Sequence, residues 1–86
     1  MKQYLIFISV IRKDGAISTW SHIERVNENK TLTNEDYESF IRFVIYDKKV
    51  EKNWIGGKIE KTHIRDFETN KVVYEGGSTF NQYLNL

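Results

Sequence analysis

The sequence predicts an α+β fold: a single two-layer domain in which an antiparallel β-sheet, built in the order β-β-α-β-β, carries one helix on a face. Three observations predict it. An apolar, β-branched run from residue 3 ends at the hairpin signal Asp14-Gly15. Residues 33–48 combine helix-capping residues with an apolar period near 3.6. After residue 58 the chain returns to β-branched stretches separated by a turn. A helix and a sheet that are each apolar on one side bury those sides against each other. At 86 residues, one domain spanning 1–86 is expected.

The first strand is read from Gln3 to Arg12, bounded by Lys13-Asp14-Gly15. If Asp14 and Gly15 form a two-residue type I′ loop, the pairing sets Phe7 opposite His22 and Ser9 opposite Trp20. One face then carries Leu5, Phe7, Ile11, Trp20 and His22, and the other Tyr4, Ile6, Ile8, Val10, Ile17 and Ile23. Because the first strand is apolar on both faces, it is expected inside the sheet. The second strand runs from Ala16 to about Asn27.

The helix is expected over Asn34–Lys48. Thr33 is its N-cap, with Asp36 at N3 as a short capping box, and Leu32 and Tyr37 stand where a hydrophobic staple forms. Glu35 and Asp36 suit the positive end of the helix, and Lys48 and Lys49 the negative end. Tyr37, Phe40, Ile41, Val44 and Ile45 form the buried stripe. A third strand follows over Lys58–Phe67, then a turn at Glu68-Thr69-Asn70-Lys71 with Asn70 left-handed, and a return strand over Lys71–Tyr74. Gly76-Gly77 interrupts it, and residues 78–86 fit either a strand or a helical turn.

Composition narrows the chemistry. The formal charge is +1, so no global field draws the chain to nucleic acid or an anionic membrane. There is no cysteine, which removes disulfides, thiolate metal sites and cysteine nucleophiles, and fits a reducing cytoplasm. The N-terminal apolar run is followed by Arg12-Lys13-Asp14 where a signal peptide needs small residues, so a buried strand explains it better than export. No stretch reaches the ~20 apolar residues of a membrane span. Isoleucine, lysine, asparagine, tyrosine and phenylalanine abound and proline is absent, the residue usage of AT-rich coding found in low-GC bacteria and their phages.

Candidate chemical motifs weaken on inspection. Trp54-Ile55-Gly56-Gly57-Lys58 places two glycines before a lysine, but a P-loop needs a glycine five positions earlier and Ser or Thr after the lysine, where Lys52 and Ile59 stand. The glycines are read as a bend into the third strand. Ser21 and His22 point to opposite faces of a strand, while His22 and Glu24 share one; a metal site would need a further ligand such as His63 or Asp66. No catalytic residue, metal or cofactor is expected, and the chain is read as non-enzymatic.

Two binding surfaces remain. Phe43 and Tyr46 fall on the back of the helix, to be covered either by the C-terminal residues Phe80, Tyr83, Leu84 and Leu86 or by a partner. With Trp54 they are the expected anchors of a protein interface, self-association included. The alternative is nucleic-acid binding by a lysine patch around Trp54, using Lys49, Lys52, Lys58 and Lys61, although Asp47, Glu51, Glu60 and Asp66 are interleaved with it. The expected function is a small cytoplasmic binding protein, an inhibitor or accessory factor of the kind phages and mobile elements encode, that occupies a surface on another protein.

Overall fold

A computed structural model describes residues 1–85. Strands β1 (Lys2–Ile11) and β2 (Ile17–Val26) precede helix α1 (Asn34–Lys48), and β3 (Lys58–Asp66) and β4 (Val72–Gly76) follow it, before a 3-10 segment at Ser78–Leu84. The four strands form one antiparallel sheet in the order β2-β1-β3-β4. β1 lies inside the sheet, as its two apolar faces require. The C-terminal segment, open between strand and helix from sequence, is the 3-10 turn; Leu86 lies outside the described residues.

The first hairpin forms where Asp14-Gly15 predicts it, but in a different register. Arg12 N–H donates to Ala16 O at 2.8 Å and Gly15 N–H to Arg12 O at 2.9 Å, so the loop has three residues, Lys13-Asp14-Gly15. Gly15 has φ +90°, the left-handed position that closes a type I turn of this length. The Asp14 carboxylate accepts from Ala16 N–H and pairs with Arg12, favouring this loop over the type I′ alternative. The consequence is a slip of one residue: Ile8 faces Trp20, Ile6 faces His22, and Phe7 faces Ser21. A one-residue slip exchanges the faces of a strand. Trp20 and His22 therefore join Tyr4, Ile6, Ile8 and Val10 on the helix side, while Ile17 and Ile23 join Leu5, Phe7 and Ile11 on the other.

Helix α1 starts as its residues dictate. Asp36 N–H donates to Thr33 Oγ1 and Thr33 N–H donates to Asp36 Oδ2, a complete capping box. Thr33 N–H and the Thr33 hydroxyl, donating to Asp36 Oδ2 at 2.9 and 3.1 Å, hold the Asp36 carboxyl below its usual pKa. Ile41, Val44 and Ile45 are buried against Tyr4, Ile6, Ile8 and Val10 of β1 and Ile59 and Ile64 of β3. Phe80 and Leu84 complete the core from the 3-10 segment.

Candidate partner-binding surfaces

The loop after α1 decides the fate of Trp54. Trp54 N–H donates to Lys49 O at 2.8 Å and Asn53 N–H to Val50 O at 3.1 Å, the paired bonds of a Schellman motif. Asn53, with φ +57°, takes the left-handed position usually held by glycine. The next side chain is thereby turned inward: Trp54 is 0% exposed, and its indole N–H donates to Ser18 Oγ at 2.9 Å. The expectation that Trp54 anchors a partner is corrected here, since it is a core residue. The signal for this lay in the sequence, in an asparagine followed by an aromatic just beyond a helix end.

The glycines behind Trp54 close the same corner. A Cβ on Gly57 would stand 2.6 Å from Ile11 O and 3.0 Å from Trp54 O, and Gly56 has φ +82°. They let two backbones approach, as a bend into β3 demands.

The lysine patch does not assemble around Trp54. Lys49 is buried, with Nζ donating to Tyr83 O at 3.3 Å and Asn85 O at 3.2 Å and lying 4.6 Å from the Tyr46 ring centroid. Its ammonium ties the helix end to the C-terminal segment, so Lys49 is withdrawn from the expected nucleic-acid surface. Lys52 and Lys48 set their ammonium groups 4.4 and 4.5 Å from the Trp20 ring centroid, covering that indole at the edge of the helix side. Lys58 and Lys61 are exposed on β3, and Lys61 pairs with Ser9 on the face away from the helix.

The polar candidates separate as well. His22 Nε2 lies 3.6 Å from Glu24 Oε2 on the helix side of β2. His63 lies on the opposite face, stacked on Phe7 at 4.9 Å between centroids and 19° between planes. Burial, with Arg65 and Lys61 nearby, lowers its pKa and favours the neutral ring. Asp66 pairs with Lys2 at 2.9 Å and accepts from Glu68 and Thr69 N–H, and these partners hold its carboxyl below the usual range. Tyr74, half-buried and donating to Glu38 at 2.9 Å, has its pKa pushed up to about 12. Among the described residues no three His, Asp or Glu side chains group as metal ligands. An open trough of about 650 Å³ is lined by Met1, Lys2, Gln3, Glu28, Phe67 and Glu68.

The outer face of α1 is where the anchors survive. Phe43 is 67% exposed and Tyr46 56%, and Val50, in the turn that follows, is 70% exposed. The spacing aligns Phe43 and Tyr46 along one stripe. The C-terminal segment covers only its margin: Phe80 and Leu84 point into the core, and Tyr83 meets the flank of Tyr46 edge-on at 5.9 Å. Arg42, 5.8 Å from the Tyr83 ring centroid, borders the stripe.

A second uncovered surface is the sheet face opposite the helix. Ile17 and Ile23 on β2 and Ile11 on β1 are exposed there, around the half-buried Leu5 and Phe7. Val72 on β4, paired with Arg65, is exposed on the same face.

The molecule is thus a two-layer α+β domain with an apolar stripe on its helix and an apolar face on its sheet. Comparison with protein-family models, curated proteins and solved structures finds no match to the chain. No helix among the described residues is long and apolar enough to cross a membrane.

Proposed function

We propose that this protein is a small cytoplasmic binding protein that acts by occupying a surface on another protein, docking through the outer stripe of α1. The observation that carries the reading is the exposure of Phe43 and Tyr46 on one face of α1, with Val50 exposed in the turn that follows. Interface energy concentrates in such aromatic anchors, and a helix presents them one turn apart, at i and i+3, to a groove. Tyr46 is held between Tyr83 and the Lys49 ammonium, so less of its freedom is lost on binding. The AT-rich residue usage and small size suit a phage or mobile-element inhibitor or accessory factor.

The test is capture of a protein from host lysate by the wild-type chain and by Phe43→Ala. A specific, nuclease-resistant protein band retained by the wild type should be lost with Phe43→Ala, whose melting temperature should stay within a few degrees. Equal capture by both chains refutes the reading.

A further inference from the structure

We propose that the uncovered face of the sheet is a self-interface, where two copies of this chain pack sheet against sheet. The first argument is area. β1 and β2 each have 10 residues, β3 has 9 and β4 has 5. At ~3.3 Å per residue and ~4.8 Å between strands, these strands project to roughly 540 Å². The accessible surface is rougher than this ~540 Å² projection and approaches the ~800 Å² per partner of a stable complex. The helix stripe offers a few hundred Å², the scale of a helix seated in a partner's groove rather than of a broad self-interface.

The second argument is the kind of side chain exposed. On β2 every outward residue is exposed, and Ile17 and Ile23, at 63% and 42%, stand at either end of Thr19 and Ser21. Edge-strand residues facing water are normally polar or charged. Small residues between large ones make a surface of ridges and hollows that a second sheet can fill.

The third argument is register. A two-fold axis running along the strands, between β1 and β3, lays β2 of one copy over β4 of the other and β1 over β3. Ser21, Phe7, His63 and Glu75 occupy one level across the sheet, and Ile23, Leu5, Arg65 and Val72 another. The operation therefore sets the Phe7–His63 stack against the same stack of the second copy, and Ile23 against Val72. Ser21 comes over Glu75, a hydroxyl facing a carboxylate. Arg25, Lys58, Lys61 and Arg65 stand on this face with Glu60 and Glu75, a local excess of two positive charges around the apolar centre.

Sedimentation velocity from about 1 to 200 μM tests the proposal. The wild type should show a concentration-dependent species of about twice 10.3 kDa. Ile17→Glu/Ile23→Glu should weaken that association at least about 100-fold, because two apolar side chains are replaced by like charges on both copies, with unchanged far-ultraviolet circular dichroism. Phe43→Ala should leave it intact. A wild type that stays monomeric at 200 μM overturns the proposal, as does a dimer that survives the double substitution. So does binding of a single-stranded oligo(dT) abolished by Lys61→Glu/Arg65→Glu, which would make the face a nucleic-acid platform instead.

Discussion

Replacing Trp54 by phenylalanine separates a core role from a surface one. The side chain is fully buried and its indole N–H donates to Ser18 Oγ at 2.9 Å. Phenylalanine keeps most of the apolar contact but leaves roughly 40 Å³ unfilled, worth ~1 kcal/mol at ~24 cal/mol per Å³ of cavity. Loss of the hydrogen bond adds ~1 kcal/mol, because half-buried Ser18 loses its partner. The sum, ~2 kcal/mol, should lower the melting temperature by on the order of 10 °C for a chain of this size. The larger change Trp54→Ala should cost ~3–5 kcal/mol. Circular dichroism is the appropriate probe, since removing Trp54 alters the fluorescence signal itself. Ser18→Ala and the double variant complete a cycle, in which a coupling of ~0.5–1.5 kcal/mol is expected for a real bond. A Trp54→Phe protein within ~0.5 kcal/mol of wild type would refute the argument that this indole is a core element.

Removing the capping box by Thr33→Ala should cost ~1 kcal/mol in denaturant unfolding, and adding Asp36→Ala should cost less than the sum of the two singles, because they share one pair of bonds. Asp66→Asn should flatten the acid limb of the stability curve. The folded carboxyl lies below its ordinary value of 3.8, so its contribution is complete above that value and is lost as pH falls through the lower folded pKa. The same substitution should flatten the alkaline limb, because Lys2 is raised above 10.5 by this partner and its contribution is lost as pH rises through the raised value. Thermal unfolding from pH 2 to 11 checks both limbs.

The helix was legible to its ends because its signals are local: Thr33, Asp36 and the apolar spacing all lie within one segment. The central position of β1 was legible for a similar reason, since a strand apolar on both faces has only one comfortable place. Register was not legible. Asp14-Gly15 suits both a two-residue and a three-residue loop, and the choice depends on contacts of Asp14 with Arg12 and Ala16 that composition does not express. The outer helix anchors were read from spacing alone, and Phe43 and Tyr46 are exposed as the wheel places them. The patch around Trp54 failed because closeness in sequence was taken for closeness in space. Across residues 48–61 the chain reverses through Asn53 and Gly56, which sends Trp54 inward and Lys49 to the C-terminal carbonyls, and leaves Lys58 and Lys61 on β3.

The place of β1 in the sheet bears on the order in which the chain can fold. Its first neighbour, β2, follows across a three-residue loop, but its second, β3, pairs Ser9 with Lys61 only after the helix has intervened. Closing a loop of about 50 residues carries an entropy cost that rises with the logarithm of its length, and long-range strand pairing of this kind slows folding. The hairpin is therefore the early structure and the docking of β3 the late one. During that interval Tyr4-Leu5-Ile6-Phe7-Ile8, rich in β-formers and without charge, shows a free edge to other chains. Concentrated refolding should lose material to aggregates that dilute refolding does not.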